Sequence, residues 1–86
     1  MQNGPYFVYV LECSDGSLYT CIATDLEKRF EEHRSGKGAK YTRAKGVKQI
    51  AYSEQVKDRS KALKRELQIK AMTRREKLLL VKSETI

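Results

Sequence analysis

The sequence predicts an α/β fold of the α+β kind, a three-stranded antiparallel sheet flanked by helices in the order β-β-α-β-α-α. Three observations predict it. Two runs rich in β-branched and aromatic residues, 6–13 and 18–23, flank the turn signal Ser14-Asp15-Gly16-Ser17. A third such run spans 47–56, with Ile50 and Tyr52 in its middle. Helix-start signatures stand at Thr24, Asp58 and Thr73.

The first two runs read as a hairpin, and its loop length decides which side chains share a face. A two-residue Asp15-Gly16 turn sets Tyr9 opposite Ile22 and Tyr19 opposite Glu12, with the two phenols on opposite faces. A three-residue loop with Gly16 in the left-handed conformation pairs Tyr9 with Cys21 and Tyr19 with Leu11. Phe7, Tyr9, Leu11, Tyr19, Cys21 and Ala23 then line one face, and this register is the one expected. Two tyrosines on one sheet face also have an ordinary explanation, since Tyr suits a half-buried strand.

Thr24 with Glu27 three residues on has the form of a capping box, so the first helix is expected from there to about Ser35-Gly36. Leu26 and Phe30 form its apolar stripe, and Arg29 and His33, four apart, stack on one face beside it. A solvated Arg and a partly buried His satisfy the same spacing. From 34 to 48 come Arg34, Lys37, Lys40, Arg43, Lys45 and Lys48 with no acidic residue, interleaved with Gly36, Gly38, Tyr41 and Gly46. Glycine lets backbone approach a phosphate and the cations release counterions, so a glycine-rich polyanion-binding loop is expected here. Asp58 is expected to cap a helix over 59–71 with Leu63, Leu67 and Ile69 on its buried side, and Ala62, Glu66 and Ile69 along the edge. Near the core Glu66 needs a cation, a donor or a metal, whereas at the surface Lys70 at i+4 is an ordinary partner. A last capping box, Thr73 to Glu76, opens a short helix whose Leu78, Leu79, Leu80 and Val81 read as a lid on the core.

Residues 1–86 are expected to form one domain with its core over about 6–81. A formal net charge of +7 points to polyanions, nucleic acid first and anionic membrane second. No apolar run is long enough for a membrane span, and the first five residues lack a secretory signal, so a cytoplasmic protein is expected. Cys13 and Cys21 are not cross-strand partners in the favoured register, which makes a disulfide unattractive, and with His33 they show no metal-ligand spacing.

In order and joint presence these pieces resemble the GIY-YIG nuclease superfamily, in particular its small bacterial single-domain branch, over residues 6 to about 81. The first motif falls on Phe7-Val8-Tyr9 and the second on Tyr19-Thr20-Cys21. Arg29, His33 and Glu66 match the helix arginine, the helix histidine and the metal-binding glutamate, and the stretches 33–42 and 62–66 are similar to those of that branch. The resemblance implies a metal-dependent endonuclease, a hydrolase of DNA phosphodiesters with structured or branched DNA ahead of a long specific site. Tyr9, Tyr19, Arg29, His33 and Glu66 would be its catalytic residues. Glu66 would hold Mg²⁺, with Mn²⁺ as a substitute, and Arg29 would neutralise phosphoryl charge. Tyr9 would lead as general base, Tyr19 would align the nucleophile and His33 would accept the phenolic proton or a hydrogen bond. A free phenol titrates near about 10, so that role needs a cationic neighbourhood. Arg34, Lys37, Lys40, Tyr41, Arg43 and Lys45 would contact nucleic acid, DNA ahead of RNA. A protein partner has a place in this reading, a membrane has none, and the oligomeric state is left open. Phe7 and Val8 replace the first motif's glycine and isoleucine, and Cys21 replaces the second motif's glycine. Across from Tyr9, Cys21 would narrow the site, so the alternative reading is a nucleic-acid-binding module with weak or lost catalysis.

Overall fold

The computed structural model describes residues 5–37 and 40–83, and for residues 40, 41 and 43 the backbone alone. Its elements are β1 (Tyr6–Cys13), β2 (Leu18–Ala23), α1 (Leu26–Arg34), α2 (Lys40–Lys45), β3 (Val47–Val56), α3 (Arg59–Lys70) and α4 (Arg74–Ser83). The three strands pair antiparallel in the order β2-β1-β3.

The hairpin takes the three-residue loop. Tyr9 pairs with Cys21 and Leu11 with Tyr19, and Gly16 sits at φ 85. Its amide donates to the Cys13 carbonyl at 2.9 Å, and the Cys13 amide donates to the Ser17 carbonyl at 2.8 Å. Asp15 Oδ1 accepts from the Ser17 amide at 3.0 Å and from its hydroxyl at 2.6 Å, which holds the turn closed. Both cysteines are free thiols.

β1 is buried on both faces, which explains its nearly unbroken apolar run. Tyr6, Val8 and Val10 face Ala62 and Ile69 of α3, with Leu80 of α4 packed alongside. Tyr9 and Leu11 face the other way with Cys21, under Leu26 and Phe30 of α1. Val8, Val10 and Ile69 are fully enclosed, each worth roughly 1.5–3 kcal/mol of burial. On β3 the register against β1 shifts twice, between Val10 and Leu11 and between Glu12 and Cys13. Val10 pairs with Tyr52 and Leu11 with Ile50, so Ala51 is an extra residue. Ile50 and Tyr52, two apart, thereby enter opposite cores.

Four expectations need correction. First, α2 lies inside the stretch expected to be a glycine loop. Residues 40–45 contain neither glycine nor proline and are free to coil, while Gly36 at φ 87 and Gly46 at φ 77 end the helices α1 and α2. After α1, the Lys37 amide donates to the Glu32 carbonyl at 2.8 Å and the Gly36 amide to the His33 carbonyl at 3.3 Å, the Schellman pattern. Second, Asp25 and not Thr24 caps α1, its Oδ1 accepting from the Lys28 amide at 3.0 Å. Aspartate is the stronger cap, and Glu27 becomes a first-turn acid at the positive helix end. Third, Leu63 and Leu67 are 36% and 67% exposed, and the inward stripe of α3 is Ala62, Glu66 and Ile69. The helix is held at that rotation by Arg65, whose Nε donates to both oxygens of Glu54 on β3 at 3.0 and 3.1 Å, while the Tyr52 hydroxyl donates to the same carboxylate. Fourth, in α4 Leu80 packs on the core, whereas Leu78 and Leu79 face outward. The other caps form as expected: Asp58 accepts from the Lys61 amide, and Thr73 and Glu76 satisfy each other's amides at 2.8 and 3.2 Å.

The hairpin turn is tied to the end of α2. The Ser14 amide donates to the Gly46 carbonyl at 3.0 Å, and Lys45 Nζ lies 3.0 Å from Asp15 Oδ2. A Cβ at Gly46 would meet Ser14 Oγ at 2.9 Å, with the backbone already at φ +77. Gly46→Ala is therefore expected to lower stability by roughly 1–3 kcal/mol. Urea unfolding should show a lower midpoint at an unchanged m-value, and an unchanged midpoint would contradict the close approach.

Candidate active site

Leu26 and Phe30 pack on the cluster of Tyr9, Leu11 and Cys21, so the face of α1 that they share with His33 is the one that meets the hairpin tyrosines. His33 in its last turn is 1% exposed. Its ring meets those of Tyr9 and Tyr19 edge-on, with centroids 6.3 and 6.1 Å apart. Nδ1 lies 2.8 Å from Oγ1 of the fully buried Thr42 on α2. Nε2 meets two groups from the hairpin, the Tyr9 hydroxyl at 3.3 Å and Cys21 Sγ at 3.8 Å.

Burial decides the protonation states. The Tyr9 phenol is raised far above its ordinary value of 10.0, first by desolvation and then by Cys21, against a smaller opposing pull from Arg29. It therefore keeps its proton at neutral pH, and a buried hydroxyl needs an acceptor. Arg29 has none to give, and His33 Nε2 does. His33 is itself held below 6.5, first by burial and then by the Arg29 guanidinium, so the ring is neutral. With Nε2 accepting from Tyr9, the ring proton sits on Nδ1 and points at Thr42 Oγ1.

Tyr19, on the edge strand β2, is half-buried. Its phenol is raised by burial, then by Cys21 and by Glu66, and lowered by Lys70 and Arg29. It is thus the group that lies in the field of both Arg29 on α1 and Glu66 on α3. Glu66 keeps 17% side-chain exposure and forms an ion pair with Lys70 at 3.3 Å. Arg29 Nη1 donates to Glu32 at 2.9 Å from a side chain 37% exposed. An open cleft of about 230 Å³ beside Arg29 is also lined by Lys28, Thr24 and Ala23.

The structure brings Tyr9, Tyr19, Arg29 and His33 together as the spacing suggested. Glu66 stands on a helix whose Ala62 and Ile69 pack on the other sheet face, paired with Lys70, and its link to the others is an electrostatic influence on the Tyr19 phenol. Of the expected nucleic-acid contacts, Arg34 is paired with Glu31 of its own helix, Lys45 is paired with Asp15, and Lys37 is exposed. Lys40, Tyr41 and Arg43 lie on α2, and their side chains fall outside the described residues. Sequence reasoning missed Thr42 as a site residue. Its signal was a helical period over 40–45, hidden by reading the stretch as a loop.

Because His33 is depressed below 6.5, the unfolded chain binds the extra proton first as pH falls. Stability is therefore full above 6.5 and is lost as pH falls through the folded value. Asp15, also depressed but from 3.8, acts only at much lower pH. The chain has a single histidine, so one imidazole resonance reports the site. Its NMR titration is expected to have a midpoint below 6.5. The stability gain between about pH 5 and pH 7 is expected to flatten in His33→Gln. A midpoint at or above the ordinary value would contradict the buried, Arg29-facing placement.

The chain matches the GIY-YIG catalytic domain over residues 5–78. It is similar to a UPF0213 protein of Staphylococcus aureus strain N315, 49% identical over 77 residues that cover 90% of this chain and 94% of that one. The solution NMR structure of a UPF0213 protein from Bacillus halodurans aligns with a TM-score of 0.59 at 41% identity, covering 91% of this chain and 83% of that chain. That of a protein from E. faecalis aligns with a TM-score of 0.63 at 42% identity, covering 96% and 90%. A GIY-YIG domain implies nuclease-type activity, and such nucleases generally use divalent metal ions. No helix among the described residues is long and apolar enough to cross a membrane. With the motif strands paired in register and the match running through α1, β3 and α3, this chain belongs to the GIY-YIG catalytic domain family.

Proposed function

We propose that the protein is a Mg²⁺-dependent endonuclease that hydrolyses DNA phosphodiesters, structured or branched DNA ahead of a long specific duplex site, in the cytoplasm. The observation that carries this reading is the convergence of Tyr9, Tyr19 and Arg29 on His33, with Glu66 within the electrostatic reach of Tyr19. Little surface in a chain of 86 residues is left for reading base edges.

Among the described residues no group of three or more His, Cys, Asp and Glu side chains could enclose a metal. A lone carboxylate nonetheless fits Mg²⁺, which keeps several waters and is held by one or two carboxylates together with substrate phosphates. Glu66 would hold the ion, exchanging Lys70 for it. When bound there it supplies charge neutralisation at the scissile phosphate. Arg29, on the rim of its cleft, binds phosphoryl oxygens, and as charge builds on them it exchanges Glu32 for the phosphate. Tyr9 passes its proton to His33 Nε2 and takes one from the attacking water, so the hydroxide forms only at the moment of attack. Arg29 facing Tyr9 stabilises the phenolate, and Thr42 holds Nδ1–H so that Nε2 is the atom that receives the proton. Tyr19, partly open to solvent, aligns the water. Lys37 and the other cations of 34–45 would bind the flanking backbone without reading sequence.

A second reading is favoured by one observation. Tyr9 has no exposure at all, and Cys21 Sγ stands at the same imidazole nitrogen, so water meets a covered phenol. The protein would then bind nucleic acid and cut it slowly or not at all, until the thiol is removed.

Labelled single-stranded, duplex, flap and junction DNA, and RNA, incubated with Mg²⁺ or with chelator, test the first reading. Cleavage should need the metal, vanish in Glu66→Ala, and fall about 10²–10³-fold in Arg29→Ala. Cleavage that survives chelation and both substitutions would sink it. Salt-sensitive binding without cleavage, converted to cleavage by Cys21→Gly, supports the second reading. If that substitution leaves the rate unchanged, Cys21 is not the obstacle.

A further inference from the structure

His33 Nε2 has two hairpin side chains beside it. With Nδ1 turned to Thr42, Nε2 faces the Tyr9 hydroxyl oxygen at 3.3 Å and the Cys21 sulfur at 3.8 Å. The three atoms lie in a pocket where Tyr9 is closed to solvent and Cys21 is 9% exposed. Three donor atoms of different elements, N, S and O, converge there from α1 and from two paired hairpin positions.

We infer that Cys21 Sγ, His33 Nε2 and the Tyr9 oxygen form a binding site for a borderline-soft divalent cation of the Zn²⁺ class, distinct from the carboxylate at Glu66. Zinc bonds of roughly 2.0–2.1 Å to nitrogen or oxygen and about 2.3 Å to sulfur give tetrahedral edges of roughly 3.3 Å between N and O and 3.6 Å between N and S. The observed 3.3 Å matches the first, and 3.8 Å lies within a few tenths of the second. Thr42 on Nδ1 is the outer partner that fixes a metal-binding imidazole, leaving Nε2 as the ligand atom. On entry of the ion the thiol and phenol release their protons to solvent, the thiolate and phenolate offset its two charges, and the charge of the nearby Arg29 is met by Glu32. The fourth position is left for water. A hard ion such as Mg²⁺ disfavours sulfur, so the two sites sort their metals by donor softness. A filled soft-metal site would hold Tyr9 and His33 away from proton transfer and so switch cleavage off. That consequence rests on the nuclease reading, but the binding does not.

Co²⁺ is the spectroscopic probe, since a thiolate ligand gives it a near-ultraviolet charge-transfer band and a tetrahedral site gives strong visible bands. The full chain is expected to take up one Co²⁺ with both signatures, displaced by Zn²⁺, and Cys13→Ser is expected to behave as the unaltered chain. Cys21→Ser and Cys21→Gly should lose the charge-transfer band, and Thr42→Val should weaken Zn²⁺ binding by about 10–100-fold. Zn²⁺ should raise the unfolding temperature of the unaltered chain and not of Cys21→Gly, which has the glycine of the family motif and keeps a folded reference. Absence of the band in the unaltered chain, or its survival in Cys21→Ser, overturns the proposal. None of these readouts uses cleavage, so a failure of the nuclease reading leaves them intact, and their failure leaves the Glu66→Ala test intact.

Discussion

The contact between His33 Nδ1 and Thr42 Oγ1, 2.8 Å across the junction of α1 and α2, sets the orientation of the one imidazole on which the site is built. A ring free to turn would offer either nitrogen to the hairpin. Held by a buried hydroxyl, it presents Nε2 to Tyr9 and Cys21 and places its edge against both tyrosine rings. The chain fixes this from both sides. α1 is closed by a Schellman turn at Gly36, and α2 ends at Gly46, which is tied back to the hairpin turn through Ser14. Two glycines thus end the helices that carry His33 and Thr42.

The electrostatic picture is less one-sided than a net charge of +7 suggests. Arg34 and Lys45 have carboxylate partners, Arg29 shares its charge with Glu32, and Lys70 leans on Glu66. These pairs sit on partly exposed side chains, where each contributes little to stability and is easily exchanged. Under the proposed function a polyanion would replace the carboxylates at modest cost. The Arg65 to Glu54 pair is of another kind. It is more enclosed and doubly hydrogen-bonded, and it sets the rotation that turns Glu66 inward and leaves Leu63 and Leu67 in water.

What could be read from the sequence follows from what has a local cause. Turn chemistry at Asp15-Gly16 fixed the hairpin register, and the register alone put Tyr9 beside Cys21 and Tyr19 on the same face. Asp58 and the Thr73 and Glu76 box announced their helices because capping is decided within four residues. What was not legible depends on partners far away in the chain. The apolar stripe of α3 was placed on Leu63, Leu67 and Ile69 because periodicity reports a moment and not a neighbour; Ile69 is buried, but beside Ala62, and the two leucines face solvent. Ile50 and Tyr52 were separated by an extra residue that only strand pairing reveals. In α2 the glycines and cations of the surrounding stretch concealed a short helical run, and with it Thr42.

The double register shift also bears on the rim of the sheet. β3 is an outer strand, and a straight outer strand exposes a row of unpaired amides and carbonyls that another extended chain can extend. Two inserted residues break the regular spacing of those groups and add local twist, and the polar side chains of Lys48, Gln49 and Gln55 are exposed along the same strand. The irregularity that distributes Ile50 and Tyr52 between two cores therefore also makes this margin a poor template for intermolecular strand addition. Such protection is built into the strand backbone itself and does not depend on the helices that cover the sheet.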